Sequence, residues 1–136
     1  MSKPIPKMQK YMTTTPYTVG QEQTIAKAQE IMKQHSIRHL PVLHGGKVVG
    51  LISERDIQLV ETLKDVDPNV VLVGDAMSQD PYTVHPDAAL DEVVEAMAEN
   101  KYGSAIVVDN DKVVGIFTTI DALITLSDLL HTRLKS

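Results

Sequence analysis

Two hydroxyl–carboxylate pairs with the same spacing are the residues of this sequence best suited to bind a ligand. Ser53 precedes Asp56 by three residues, and Thr118 precedes Asp121 by three residues. Both pairs stand where a predicted strand turns into a predicted helix, and this spacing is typical of a helix N-terminal cap. The same position suits a ligand, because a helix N-terminus favours phosphate and a first-turn carboxylate accepts hydrogen bonds from vicinal ribose hydroxyls. Taken alone, the residues favour the cap.

A basic pair, Arg38 and His39, stands at the start of another predicted strand. On a generic strand such side chains are solvated or pair with a neighbouring acid, although a planar guanidinium also matches the oxygens of a phosphate. The formal net charge is -5 and no basic block is present, so an anionic ligand would depend on such local cations. The same charge balance argues against a nucleic-acid partner.

Several other kinds of chemistry are disfavoured by the residue types. The chain of 136 residues has no Cys, which excludes disulfides, thiolate catalysis and zinc sites that require sulfur. His35, His39 and His44 are spaced like a metal cluster, but a turn and a strand interrupt them, and no metal site is predicted. Catalysis would need a nucleophile beside a base, a pair of acids, or a bound metal, and the sequence shows no convincing arrangement of any of these. We therefore predict that the protein is not an enzyme.

The apolar runs of the chain are short. The run at residues 70–73 is far below the roughly 18 residues that a membrane helix needs. We therefore expect no membrane partner. The absence of Cys is compatible with a reducing compartment, and the expected location is the cytoplasm.

The sequence contains an internal repeat with an offset of 65 residues. Residues 12–58 align with 77–123 without a gap, and 13 of the 47 pairs are identical, where composition alone predicts roughly three. The identical pairs cluster in Pro-Tyr-Thr-Val, at 16–19 and 81–84, and in Lys-Val-Val-Gly, at 47–50 and 112–115. A period of this length suits a small supersecondary unit present in two copies.

Each copy predicts the same order of elements. A short extended segment at 16–19 leads into an amphipathic helix at about 24–34, whose apolar residues recur at helical spacing. In the second copy Asp87 is the predicted N-cap of this helix. Two strands joined by a tight turn follow, and then a final helix. The predicted strands are 40–43, 47–52, 105–108 and 112–117, the turns are Gly45-Gly46 and Asn110-Asp111, and the final helices run over about 53–63 and from about 118 to 130 or beyond.

The apolar residues of the predicted strands form continuous runs, as in Ala105-Ile106-Val107-Val108. Strands of this kind are covered on both faces, so the helices must pack on the sheets. Met32 and Met97 fall on the apolar faces of their helices and are predicted core residues. The fold class is therefore predicted as α+β, with two βαββα units in a pseudo-twofold arrangement and small mixed sheets packed with helices.

The repeated segments resemble the cystathionine β-synthase (CBS) domain. The resemblance rests on Gly-Leu-Ile-Ser-Glu-Arg-Asp at 50–56, Gly-Ile-Phe-Thr-Thr-Ile-Asp at 115–121, the repeated Pro-Tyr-Thr-Val, and Arg38-His39-Leu40-Pro41-Val42. It implies CBS motif 1 at residues 8–65 and CBS motif 2 at 73–132, which together form a tandem pair called a Bateman module. The family is regulatory and non-catalytic, binds adenosine-containing ligands in clefts between the copies, and usually dimerises into a flat disc.

The resemblance also implies two clefts, each with its Asp from one copy and its base-holding segments from the other. Cleft A would contain Thr15, Pro16, Tyr17, Ile37, Arg38, His39, Ile116, Thr118 and Asp121. Cleft B would contain Leu51, Ser53, Arg55, Asp56, Asp80, Pro81, Tyr82, Tyr102, Gly103 and Ser104. Because Gly103 and Ser104 replace the basic pair in the second copy, cleft A is expected to prefer phosphorylated ligands.

The expected function is a sensor that binds AMP, ADP or ATP as a regulatory ligand, with no cofactor required. Tyr17 and Tyr82 would stack on adenine with Ile37 on its other face, or they are half-buried strand residues. The length leaves almost nothing for an effector domain, so the output is expected to pass through a homodimer or an unidentified effector protein. The alternatives are a structural dimerisation platform with empty clefts, and a binder of S-adenosylmethionine or NAD(H).

Overall fold

The computed structural model describes residues 4–15 and 17–134 of the chain. Its helices are α1 (Met8–Tyr11), α2 (Ile25–His35), α3 (Glu54–Glu61), α4 (Val73–Ala76), α5 (Leu90–Asn100) and α6 (Thr119–Leu129), and α6 continues into a π-helical turn at Leu130–Leu134. Its strands are β1 (Thr13–Thr14), β2 (Val19–Gly20), β3 (His39–His44), β4 (Lys47–Ser53), β5 (Ser78–Gln79), β6 (Thr83–Val84), β7 (Ser104–Asp109) and β8 (Lys112–Thr118). In this part of the chain no helix is long and apolar enough to cross a membrane.

The chain divides into two compact units whose limits differ from those of the sequence repeat. The first unit is Tyr17–Pro81, and the second combines the segment before Pro16 with the segment after Pro81. The short elements α1 and β1, at the start of motif 1 in sequence, therefore belong to the same unit as the main elements of copy two. In the same way α4 and β5, at the start of motif 2 in sequence, belong to the same unit as the main elements of copy one. The motif limits 8–65 and 73–132 remain predictions about the repeat in the sequence.

The first unit is built on a four-stranded sheet with the order β2-β3-β4-β5. Strand β2 is parallel to β3, and the remaining neighbours are antiparallel. The helices α2 and α3 cover this sheet, because the apolar side chains of both strands and helices are buried in one cluster. The cluster contains Val19, Ile25, Ala28, Met32, Leu40, Val42, Ile52, Ile57 and Val73.

The second unit repeats this plan with the order β1-β8-β7-β6. Here β6 is parallel to β7, and β1 is antiparallel to β8. The buried cluster contains Met8, Leu90, Val93, Met97, Ala105, Val107 and Phe117. The continuous apolar run of β7 is buried at Ala105, Ile106 and Val107, and Met32 and Met97 are both buried, so these predictions are confirmed. Two small mixed sheets packed with helices confirm the predicted α+β class.

The tight turns between the paired strands have the backbone that a two-residue hairpin demands. Gly45 and Gly46 have φ angles of 59° and 79°, and Asn110 and Asp111 have φ angles of 52° and 63°. Positive φ at both central residues matches the right-handed twist of the flanking strands. The predicted turns are confirmed, and each places its β4 or β8 strand so that it runs directly into the following helix.

The prediction of Asp87 as a helix N-cap is wrong. Helix α5 begins one residue after Ala89, whose side chain makes no capping hydrogen bond. Instead, the backbone amide of Leu90 donates to the carbonyl oxygen of Pro6 at 2.9 Å, and the amide of Asp87 donates to His85 Nδ1 at 3.0 Å. A distant part of the chain thus supplies the acceptor that a local cap would have supplied.

Of the predicted extended segment at 16–19, the structure describes residues 17–19, and among these Val19 begins strand β2. The first final helix ends at Glu61, two residues before the predicted end, whereas the second continues from Leu129 through the π-helical turn to Leu134, as predicted. The short elements α1, β1, α4 and β5 were not predicted, since four-residue helices and two-residue strands carry no readable hydrophobic period.

Candidate ligand-binding site

The junction between β4 and α3 is closed by a reciprocal cap. The hydroxyl of Ser53 accepts a hydrogen bond from the Asp56 amide at 3.1 Å, and Asp56 Oδ2 accepts one from the Ser53 amide at 2.9 Å. Both residues are partly buried. The capping interpretation of this motif is therefore correct, and the cap also holds the Asp56 carboxylate in one orientation at the helix N-terminus.

The junction between β8 and α6 carries the same cap with an additional partner. Asp121 Oδ2 accepts hydrogen bonds from the Thr118 amide at 2.9 Å and from the Thr118 hydroxyl at 3.2 Å. Asp121 Oδ1 accepts a further hydrogen bond from the Thr13 hydroxyl at 2.9 Å. Thr13 was not a predicted site residue, because nothing in the sequence signals that β1 pairs with β8. The only sequence hint is its hydroxyl-rich run, Thr13-Thr14-Thr15.

Each of these junctions is tied to the start of the neighbouring strand. The Glu54 amide donates to the Arg38 carbonyl oxygen at 2.8 Å, and His39 lies opposite Ser53 in the ladder of β3 and β4. In the second unit the Thr119 amide donates to the Gly103 carbonyl oxygen at 3.2 Å, and Ser104 lies opposite Thr118. The first unit thus holds its basic pair next to its capped carboxylate, whereas the second unit has Gly103 and Ser104 at that place.

The side chain of Arg38 is available to an anion. Arg38 is exposed, and in the described part of the chain no carboxylate forms an ion pair with it. Arg55, in the first turn of α3, is exposed as well. These two side chains supply positive charge in the first unit of a chain that is acidic as a whole.

The tyrosines that were predicted to stack on adenine are both stacked on other side chains. The ring of Tyr17 lies on His35, and the ring of Tyr82 lies on Tyr102 with centroids 5.0 Å apart. Burial, together with the nearby Tyr102 and Glu92, raises the pKa of Tyr82 above 10.0. Tyr82 adjoins β6, is half-buried and accepts a hydrogen bond from the Ile106 amide through its carbonyl oxygen at 2.8 Å, in line with the half-buried alternative, whereas Tyr17 is exposed and lies before β2.

The residues predicted for the two clefts are divided between the units. Among the cleft A residues, the first unit holds Tyr17, Ile37, Arg38 and His39, and the second holds Thr15, Ile116, Thr118 and Asp121. Among the cleft B residues, the first unit holds Leu51, Ser53, Arg55, Asp56, Asp80 and Pro81, and the second holds Tyr82, Tyr102, Gly103 and Ser104. Pro16, also assigned to cleft A, lies outside the described residues.

The three histidines whose spacing resembles a metal cluster do not come together in the structure. His35 stacks on Tyr17, while His39 and His44 stand at opposite ends of β3. Within residues 4–15 and 17–134, no group of three His, Asp or Glu side chains is placed to hold a metal ion.

Comparison with known proteins assigns the repeat to a family. The CBS domain pattern matches residues 8–60 and again 73–128, so it covers most of the chain in two copies. The chain belongs to the CBS domain family. The solved CBS domain pair of protein MJ0100, in complex with 5′-methylthioadenosine and S-adenosyl-L-methionine, has the same fold with a TM-score of 0.79 and 28% identity. That similarity covers 92% of this chain and 98% of the other.

Two curated CBS relatives differ in how much of their length the chain spans. The CBS domain-containing protein YhcV of Bacillus subtilis is 33% identical over 77% of this chain and 74% of its own length. The inosine-5′-monophosphate dehydrogenase of Korarchaeum cryptofilum is 30% identical over 98% of this chain, but the match spans 27% of that enzyme. The tandem CBS pair is therefore found both as most of a protein and as a minor part of a larger one.

Proposed function

We propose that this CBS pair is a regulatory module that binds an adenosine-containing ligand and does not catalyse a reaction. The observation that carries the proposal is the pair of matched carboxylates, Asp56 and Asp121, each held by a backbone amide at the first turn of a helix. A fixed carboxylate at this position accepts hydrogen bonds from the two hydroxyls of a ribose, as the acid of a dinucleotide fold does.

The adenosyl class of ligand is supported by the relative MJ0100. The solved complex of that protein contains 5′-methylthioadenosine and S-adenosyl-L-methionine, which share an adenosyl group. For the present chain we propose AMP, ADP or ATP within this class, because the exposed Arg38 matches a phosphate group. S-adenosylmethionine and NAD(H) are the competing ligands that the same experiment compares.

The ligand sites that we propose are the residue sets of cleft A and cleft B. The set with Arg38 and His39 is the one expected to prefer a phosphorylated ligand, since the equivalent residues Gly103 and Ser104 carry no charge. Arg55 stands beside Asp56 and offers one cation to the cleft B set. Ligand binding changes the state of the module only if its affinity differs between two conformations.

A second copy of the chain is the partner that we propose for the exposed face of α6. Its large apolar side chains are accessible to solvent: Ile120, Leu123, Ile124 and Leu126 are between 52% and 63% exposed, and Leu130, in the turn that follows the helix, is 45% exposed. Next to them a groove of about 400 Å³ runs between α5 and α6, beside Ile5 and Pro6. An apolar surface of this kind on one helix marks an interaction site. An unidentified effector protein is the alternative occupant.

The proposed function is tested by calorimetry with AMP, ATP, NADH and S-adenosylmethionine on the wild-type chain and on Asp56→Asn and Asp121→Asn. Asn keeps an acceptor for the capping amide but loses the charge, so each variant should fold and lose one binding event. A ligand that binds only the native state must also raise its thermal stability. Absence of binding and of any thermal shift at millimolar ligand would favour the structural platform instead, and turnover of ATP would revive the enzyme interpretation.

A further inference from the structure

Most of the hydrogen-bond acceptor positions of the Asp121 carboxylate are already used by donors of the protein itself. Its Oδ1 accepts from the Thr13 hydroxyl at 2.9 Å, and its Oδ2 accepts from the amide and the hydroxyl of Thr118. A carboxylate accepts about four hydrogen bonds through its two oxygens. Three of these are therefore in use at Asp121 before any ligand arrives.

The equivalent carboxylate of the first unit is far less occupied. Asp56 accepts one hydrogen bond, from the Ser53 amide, through Oδ2. Across residues 4–15 and 17–134 no donor forms a hydrogen bond with its Oδ1. Ser78 is the repeat counterpart of Thr13 and lies opposite Leu51 as Thr13 lies opposite Ile116, yet in this part of the chain Ser78 forms no hydrogen bond with Asp56.

The position of Thr13 is fixed by close backbone packing rather than by a loose loop. A Cβ atom added to Gly115 would lie 2.8 Å from the Thr13 carbonyl oxygen and 2.8 Å from the sulfur of Met12. Glycine at 115 thus lets β1 lie directly on β8. Met8, one turn before Thr13 in the chain, is fully buried in the same unit. The Thr13 hydroxyl is therefore held at Asp121 by the fold.

We propose that Thr13 weakens the binding of a ribose diol at Asp121, so that Asp56 is the carboxylate that binds the sugar more tightly. The inference rests on the proposed function and refines it. A ribose at Asp121 must displace the Thr13 hydroxyl from Oδ1 or share that oxygen with it. A ribose at Asp56 can donate directly to Oδ1. Hydrogen bonds to a carboxylate are among the stronger ones, so this difference decides which site is sensitive to the sugar.

The test is calorimetry with adenosine and with 2′-deoxyadenosine, which lacks one hydroxyl of the diol. We expect Thr13→Val to tighten adenosine binding at the weaker site by about tenfold, since one competing hydrogen bond to a charged acceptor is removed. The affinity for 2′-deoxyadenosine should change much less. Adding Asp121→Asn to Thr13→Val should abolish the gain, which assigns it to that carboxylate.

Two controls accompany the test. Thr13→Ser keeps the hydroxyl and should retain wild-type affinities, and Ser78→Ala in the other unit should leave both sites unchanged. Thr13 is exposed and Val suits a strand, so folding should survive; a thermal melt checks this, and Thr13→Ala serves if Val perturbs the strand.

The outcomes separate the two proposals. Adenosine that binds wild type and Thr13→Val equally, or binds the variant more weakly, overturns the role of Thr13 and leaves the proposed function standing. If no adenosine compound binds wild type or any variant at millimolar concentration, the proposed function fails and this inference fails with it.

Discussion

The ring of Tyr17 lies flat on the imidazole of His35, with centroids 3.7 Å apart and planes 15° from parallel. The two residues stand at the two ends of the β2–α2 segment, so the stack joins the entry of the first copy to the end of its first helix. One face of Tyr17 is therefore covered by His35.

Replacing His35 should weaken the first unit measurably. We expect His35→Asn, which introduces the residue of the second copy at position 100, to lower the free energy of unfolding by about 0.5–1.5 kcal/mol, because a stacked ring pair is lost. Urea denaturation measures the change. His44→Asn, at the exposed end of β3, is the matched control and should have almost no effect. Equal effects of the two substitutions would contradict a stabilising role for the stack.

Gly115 should tolerate no side chain. Its Cβ would lie 2.8 Å from the Thr13 carbonyl oxygen, so Gly115→Ala must push β1 away from β8 and should cost about 1–3 kcal/mol of stability. Gly103→Ala is the control, because a Cβ there meets no atom within 4 Å. Denaturant titration compares the two variants. If Gly115→Ala is as stable as Gly103→Ala, the close approach of the strands does not hold β1 in place.

The apolar face of α6 should control self-association. The repeat counterparts of Ile120, Leu123 and Leu126 are Arg55, Gln58 and Glu61, so α3 lacks this face. We expect Leu123→Glu to convert a dimer to a monomer in sedimentation velocity, because a charge buried without a partner opposes association. Gln58→Glu places the same charge at the equivalent position of α3 and should leave the dimer intact. A wild-type chain that stays monomeric at every concentration would eliminate the proposed interface.

Tyr82 should make the protein less stable at alkaline pH. Its pKa is raised in the folded state above 10.0, chiefly by burial, so its contribution to stability is fully present below pH 10 and is lost as the pH rises through the folded pKa. We expect Tyr82→Phe to flatten the loss of stability above pH 10. Chemical denaturation across this pH range, with ultraviolet titration of tyrosinate, measures it. If the free energy of unfolding of the variant falls as steeply above pH 10 as that of the wild type, the ionisation of Tyr82 is not coupled to unfolding.

Much of this protein is readable in its sequence because the deciding interactions are local. The caps at Ser53 and Thr118 join residues three apart, and the hairpin turns need positive φ at adjacent residues, which Gly, Asn and Asp supply. The 65-residue repeat and its motifs were sufficient to predict the CBS family and the α+β class. The cleft assignments follow from that family and remain predictions.

Tertiary structure alone decided the features that join distant parts of the chain. The amide of Leu90 is satisfied by Pro6 rather than by Asp87, and Thr13 reaches Asp121 across 108 positions of sequence. Both hydrogen bonds form because the segment that contains α1 and β1 belongs to the second unit. Segments this short have no hydrophobic period from which their partners could be predicted. Local chemistry therefore fixed where the two carboxylates stand, and the long-range pairing of β1 with β8 decided that Asp121 accepts an additional hydrogen bond from Thr13.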